Sequence, residues 1–112
     1  MLLVNSDCII EPDAIITLVR YMETHPKVGA AQGILIDLHS KDRISSAGNI
    51  LEITGHNYIR YRGFKASECS QESYVTQTAG AMMIVRNSAL DGELFLNELF
   101  MYGEDLELGF RL

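Results

Sequence analysis

The first third of the chain has a hydrophobic pattern that predicts a strand, a helix and a second strand. Leu2–Val4 is a short continuous apolar run, which is typical of a strand buried on both faces of a parallel sheet. Pro12 fits the first position of a helix over Asp13–Thr24, and His25-Pro26 predicts its end. Apolar residues follow the helical spacing at Ile15, Leu18, Val19 and Met22.

Val28–Ile36 is the second predicted strand, and Gly29 and Gly33 indicate close approach of another backbone. A strand, a helix and a strand within about 35 residues predict a βαβ unit with a right-handed crossover. The fold class expected from the pattern is therefore α/β.

The middle of the chain, Asp37–Thr78, has a weaker pattern. It predicts a strand at Ile50–Ile53 and a loop in "ASECSQES". Tyr58–Phe64, "YIRYRGF", alternates aromatic and basic residues. It is either a half-exposed strand whose arginine stems pack on tyrosine rings, or a patch for a phosphorylated or sugar ligand.

The last third regains order. Ala81–Val85 predicts a buried strand, Asn87-Ser88 predicts the cap of a short helical turn, and "MYGED" leads into a closing helix. The pattern shows no repeats and no linker, so we expect one domain over residues 1–112.

Composition narrows the class of protein. The 112 residues are 47% hydrophobic and 21% charged, which is ordinary for a globular domain and excludes a disordered one. A formal net charge of −6 argues against a nucleic-acid partner. Two cysteines provide no disulfide framework, and the apolar run after Met1 is too short for a signal peptide or membrane span. We therefore expect a cytoplasmic protein with no membrane segment.

The first candidate site is "VNSDC", where Asn5 and Asp7 leave the end of an apolar strand. In open α/β sheets, ligands gather beyond the carboxyl ends of strands. Amide and carboxylate oxygens there suit Mg²⁺ or Mn²⁺ that also holds substrate phosphates. The structural alternative is an Asx turn, in which the same residues are expected without any ligand.

The second candidate site is the adjacent pair Glu104 and Asp105, at the start of the predicted closing helix. Acidic residues there offset the helix dipole by roughly 0.3–1 kcal/mol each and need no function. Adjacent carboxylates at a cleft also disfavour each other's ionisation, which suits a general base. Flanking apolar residues would desolvate the pair further: Phe100, Met101, Tyr102 and Leu106.

A third arrangement is nucleophilic catalysis by Cys8 with one of the histidines His25, His39 or His56. No nucleophile elbow accompanies it, so the pattern argues against this arrangement.

Taken in order, these pieces resemble the C-terminal half of the catalytic domain of a family 2 glycosyltransferase of the GT-A fold. The resemblance rests on three stretches: "LLVNSDCIIEPDAIITLVRYMETHPKVGAAQGILID", "TAGAMMIVRNSAL" and "LFLNELFMYGEDLELGFRL". It implies a partial GT-A fold, truncated at both ends and lacking the N-terminal units that form the nucleotide-base pocket.

The resemblance also implies an activity: inverting transfer of a sugar from a nucleotide-diphosphate donor to a hydroxyl of an acceptor glycan or lipid-linked glycan. Asp7, with Asn5, matches the motif that binds the divalent metal and donor diphosphate. Asp105 matches the general base, Glu104 would position it, and Gly80 and Ala81 would line the cleft with Asn5.

The sequence departs from the family at Leu96-Asn97-Glu98, which stands where a Phe-Asp-Glu segment is usual. Two alternatives stay open. One is a non-catalytic scaffold or interaction module, and the other is a nucleotidyltransferase, although a Gly-rich phosphate loop is missing. Because Leu2–Val4 would present an unpaired sheet edge, we also expect self-association.

Overall fold

The computed structural model describes residues 1–99 and 102–112. In chain order the elements are β1 (Leu2–Val4), α1 (Ala14–Thr24), β2 (Ala30–Ala31), β3 (Leu35–Ile36), β4 (Ile44–Ser46), β5 (Asn49–Leu51), β6 (Asn57–Ile59), β7 (Met82–Val85) and α2 (Glu104–Arg111). Short 3₁₀ turns occupy Ala66–Glu68 and Asn87–Ala89. The result is a small mixed α/β fold with two helices.

The main sheet has three strands in the order β1-β7-β2, and both outer strands run antiparallel to β7. β1 and β2 are therefore parallel to each other but one strand apart, so the predicted βαβ unit encloses an antiparallel strand. The prediction that β1 is buried in a parallel sheet is wrong. β1 is an edge strand, and the side chains of Leu2 and Val4 are each 38% exposed.

α1 begins one residue later than predicted and ends where the proline signal placed it, with His25 as C-cap. Leu18 and Met22 on its apolar face are buried, but Ile15 and Ile16 are exposed. Its C-terminal carbonyls are bound by Arg86, which follows β7. The Arg86 guanidinium donates to the oxygens of Met22 at 2.5 Å, His25 at 3.1 Å and Val28 at 2.9 Å.

The predicted strand Val28–Ile36 is two strands in different sheets, because the chain leaves the main sheet after Ala31. Gly29 fulfils the expected close approach, since a Cβ there would meet Leu112 Cβ at 2.8 Å. Gly33 does not, because a Cβ there would have no neighbour within 4 Å.

Two hairpins, β3-β4 and β5-β6, form the middle of the chain. The strand predicted at Ile50–Ile53 lies slightly earlier, and Ile53 is fully exposed. Tyr58–Phe64 is only partly a strand: β6 ends at Ile59 and a turn follows. The Arg60 guanidinium lies 5.3 Å from the centre of the Tyr61 ring, so the predicted arginine–tyrosine packing is confirmed there.

The β5-β6 hairpin is held to residues 76–77 by hydrogen bonds that converge on the buried side chain of Gln77 and on the hydroxyl of Thr76. Asn49 Nδ2 and Asn57 Nδ2 donate to Gln77 Oε1 at 3.2 and 2.9 Å, and the backbone N–H of Leu51 donates to the Thr76 hydroxyl. This stretch leads directly to Gly80 and β7, so the hairpin fixes the approach to the sheet.

The closing helix α2 packs on one face of the sheet through Leu108, which forms the buried core with Met83 and Val85. Gly109 lets it approach the crossing chain closely. A Cβ at Gly109 would overlap the carbonyl oxygen of Thr76 and lie 3.1 Å from its carbonyl carbon. Arg111 in the last turn forms a two-point ion pair with Glu107, one turn earlier.

Candidate functional site

A cleft of about 540 Å³ lies beside the free edge of β1. The chain just before β7 and the start of α2 form its other walls. The lining residues are Leu2, Leu3, Val4, Asn5, Gly80, Ala81, Phe95, Tyr102, Glu104 and Asp105. Five of the six candidate residues predicted from the sequence therefore share one cleft, and Asp7 is the exception.

Asp105 is held at the cleft by two backbone groups. Its Oδ2 accepts a hydrogen bond from the backbone N–H of Gly80 at 3.3 Å, and its Oδ1 accepts one from Leu106 at 3.0 Å. A Cβ at Gly80 would lie 3.7 Å from Asp105 Oδ2, which is ordinary van der Waals contact, so Gly80 contributes through its backbone N–H and not through its size. The carboxylate of Asp105, which lines the cleft and is partly exposed, is thus oriented by the backbone.

Glu104 is the first residue of α2, after Gly103 with its left-handed φ of 95°. Its Oε2 atom is buried and has no hydrogen-bond partner among the described residues. A buried carboxylate oxygen without a partner is costly, so such atoms commonly mark a place where a proton or ligand is bound. In this acidic pair, Asp105 is held by two backbone hydrogen bonds, whereas Glu104 Oε2 has no hydrogen-bond partner among the described residues.

The predicted desolvation of this pair by flanking side chains is only partly tested. Phe100 and Met101 lie outside the described residues. Tyr102 lines the cleft, but its side chain is 85% exposed, so it does not remove water from the carboxylates. Leu106 is half-buried.

Asn5 and Asp7 lie in the turn that follows β1. The Asn5 N–H donates to the Ala81 carbonyl at 2.8 Å, which pins the end of β1 to the cleft wall. The turn is closed by the backbone N–H of Cys8 donating to the Asn5 carbonyl at 3.2 Å. Asp7 is exposed on this turn and does not line the cleft.

Among known protein families, the profile described as glycosyltransferase like family 2 matches residues 1–112 of this chain. The chain belongs to this family. Searches of curated proteins and of solved structures found no significant match.

For this glycosyltransferase-like chain, the metal expected from the resemblance can be tested against the donor atoms present. Among residues 1–99 and 102–112, no three histidine, cysteine or acidic side chains converge as a metal cluster. Asn5 and Asp7 offer an amide and a carboxylate oxygen, and neither side chain makes a hydrogen bond within that described part. Two free hard oxygens fit a Mg²⁺ or Mn²⁺ ion that takes its other ligands from phosphate and water.

The cysteine–histidine arrangement has no support in this glycosyltransferase-like fold. The Cys8 thiol donates to the Ala81 carbonyl, at 3.3 Å. The His25 ring stacks on Tyr21 at the far end of α1, and His39 contacts Asp37 in its own turn. Cys8 is thus bound to the chain before β7, His25 and His39 are each bound within their own segment, and His56 is exposed between β5 and β6.

Sequence reasoning missed one residue that shapes the cleft. The Gln32 side chain, just after β2, accepts a hydrogen bond from the backbone N–H of Ala79. That bond fixes the residue before Gly80, and hence the backbone that holds Asp105. The available signal was a single amide in the otherwise apolar stretch "GAAQGILI".

No helix among the described residues of this family member is long and apolar enough to cross a membrane.

Proposed function

We propose that the cleft beside β1 carries out inverting transfer of a sugar from a nucleotide-diphosphate donor to an acceptor hydroxyl. Family membership supports glycosyl transfer in general. The observation that carries the proposal is the anchored carboxylate of Asp105 beside the unpartnered Glu104 oxygen, in one cleft with Gly80 and Ala81.

In the proposed reaction Asp105 is the general base. Its carboxylate takes the proton of the acceptor hydroxyl as that oxygen attacks the anomeric carbon of the donor sugar. The new carbon–oxygen bond forms on the face opposite the leaving group, and the bond to the nucleoside diphosphate breaks. Because two backbone N–H groups orient Asp105, it enters this step already positioned.

The proposed roles of the neighbouring residues follow from size and charge. Glu104 positions the base and meets the ligand through its unpartnered oxygen. Gly80 and Ala81 leave room for the sugar and acceptor to approach the backbone, and Asn5 adds an amide to the same wall.

We propose that Asp7 and Asn5 hold Mg²⁺ or Mn²⁺ together with the donor diphosphate. A bound divalent ion would neutralise charge that develops on the leaving diphosphate. Asp7 lies on an exposed turn, which suits an ion that is largely coordinated by the donor and water.

The wider setting is part of the same proposal: a partial GT-A fold, a cytoplasmic location and an acceptor that is a glycan or lipid-linked glycan. The mixed α/β layout and the family match are what support it.

The first experiment is thermal unfolding with UDP, GDP and dTDP, each with and without Mn²⁺. It compares the wild-type chain with Asp7→Ala and with Glu23→Ala, a control that removes one exposed carboxylate from α1. At a hundred times its dissociation constant, a ligand stabilises by about 2.7 kcal/mol. For a domain of this size that corresponds to a shift of roughly 10–20 °C.

A Mn²⁺-dependent shift that Asp7→Ala removes and Glu23→Ala retains would support the donor site. Sugar transfer to synthetic glycans should then fall about 100-fold or more in Asp105→Asn, but not in the exposed control Glu23→Gln. If no nucleotide shifts the unfolding temperature of the wild type, the non-catalytic scaffold is the better description.

We also propose that the chain self-associates through β1. Met1 bonds to Val85 of β7 and Asn5 bonds to Ala81 just before it, so the N–H and C=O groups of Leu2 and Val4 point to the open side of the strand. An edge with free backbone groups and exposed apolar side chains is a template for pairing with a second strand. Light scattering that finds only monomer at working concentration would contradict this.

A further inference from the structure

A second cavity, of about 490 Å³, lies at the opposite edge of the main sheet, beside β2. α1, β2 and the segment 69–76 form its walls, and Gly109 and Leu112 close one side. It shares no lining residue with the cleft at β1. Its volume is within the range of small-molecule sites, about 300–1,000 Å³.

The walls of this cavity are largely apolar. Leu18 of α1, Ala31 of β2, Ile34 and Val75 contribute aliphatic surface, and the Tyr21 ring lies at the margin. Tyr74, in the segment 69–76, is 87% exposed at the same margin. Such a surface favours a ligand with an apolar body.

The charged side chains of the cavity are two cations and one carboxylate: Lys27, Arg60 and Glu72. Within the part of the chain that the structure describes, neither Lys27 nor Arg60 forms an ion pair. Arg60 is held in place, because its Nη1 donates to the Ala47 carbonyl at 3.2 Å. Burial, followed by the negative charge of Glu72, raises the pKa of Tyr21.

The cavity is lined by two cations and one carboxylate, whereas the chain as a whole has a net charge of −6. Apolar walls alone would bind many apolar molecules, whereas two lining cations that have no ion-pair partner among the described residues favour a negative head group.

We infer that this cavity binds an amphipathic anion: an apolar chain lies against α1 and β2, and the lining cations Lys27 and Arg60 attract a phosphate head group. The site is separate from the proposed transfer site and does not depend on it.

The experiment titrates the full chain calorimetrically with decyl phosphate below its micelle concentration. Decyl maltoside, which has the tail without the charge, and inorganic phosphate, which has the charge without the tail, are titrated in parallel. Gly33→Leu tests the cavity itself, because Gly33 lines it and a side chain there enters open space without backbone strain. Lys27→Gln and Arg60→Gln test the head group, with Lys41→Gln as a control outside the cavity. Circular dichroism checks that each variant is folded.

The expected result is saturable binding of one decyl phosphate, weakened roughly two- to five-fold by each of Lys27→Gln and Arg60→Gln. Lys41→Gln should bind as the wild type does, and Gly33→Leu should bind at least ten-fold more weakly. Decyl maltoside and inorganic phosphate should each bind far less tightly than decyl phosphate. The inference is overturned if decyl phosphate does not saturate, if Gly33→Leu binds equally well, or if either control ligand matches decyl phosphate.

Discussion

Replacing Gly109 by alanine should destabilise the protein, although the same change in most helices stabilises them. In an unobstructed helix interior alanine is better than glycine by about 1 kcal/mol. Here the added Cβ would overlap the Thr76 carbonyl oxygen and press on the carbonyl carbon at 3.1 Å and on Gln77 Cα at 3.3 Å. All of these are backbone atoms, so no rotamer change relieves the contact.

The size of the effect follows from these two terms. Overpacking typically costs about 1–3 kcal/mol, and a clash between two backbones belongs at the upper end. Subtracting the propensity gain leaves a net loss of about 2 kcal/mol, or roughly 8–16 °C in Tm. Since Thr76 leads to Gly80, the shift should also weaken the bond that holds Asp105.

Urea denaturation followed by circular dichroism measures this loss directly. Gly33→Ala is the matched control, because a Cβ at Gly33 meets nothing within 4 Å, and it should leave the free energy of unfolding unchanged or slightly higher. An equal or increased stability of Gly109→Ala would refute the close packing of α2 on residues 76–77.

Three further predictions concern other parts of the fold. Arg86→Met should lower the free energy of unfolding by about 2–4 kcal/mol, because it removes charged hydrogen bonds to the end of α1, and Arg86→Lys should recover only part of this in the same urea assay. Val4→Lys should shift light scattering towards monomer without unfolding the chain; unchanged association would place the contact elsewhere. The backbone N–H group of His39 and, to a lesser extent, that of Ser40 lower the pKa of the Asp37 carboxyl below its usual 3.8. The stabilisation that Asp37 gives to the folded state is therefore present above pH 3.8 and is lost as the pH falls through the folded-state pKa. Wild type should therefore exceed Asp37→Asn in stability at pH 7, and a difference that does not shrink as the pH falls below 3.8 would contradict this origin.

The helices could be predicted from the sequence because their signals are local. The apolar spacing from Ile15 to Met22 and the His25-Pro26 stop gave α1 almost to the residue. The acidic first turn likewise placed the start of α2.

The sheet could not be predicted in the same way, because its pairing is decided by residues far apart. An apolar run such as Leu2–Val4 is compatible with a parallel or an antiparallel neighbour, and only the insertion of β7 between β1 and β2 decides. The break after Ala31 is similar, since "VGAAQGILI" carries no strong turn residue pair at that point.

For the candidate site, five of the residues that the resemblance implied line one cleft in the structure: Asn5, Gly80, Ala81, Glu104 and Asp105. The resemblance did not foresee that Asp7 lies outside the cleft wall or that Gln32 holds Ala79. Those facts depend on a turn geometry and a long-range side-chain contact, neither of which leaves a periodic signal.

The pairing of Leu3 with Met83 also sets an order of events during synthesis. Within these 112 residues, β1 is synthesised about eighty residues before β7, the strand with which it pairs. The hairpins β3-β4 and β5-β6 pair residues that are close in sequence, so they can form before β7 is available to pair with β1. At about 5–20 residues per second, an apolar strand is left uncovered for several seconds. We therefore expect nascent chains stalled before Met82 to engage chaperones and those extended past α2 to be released.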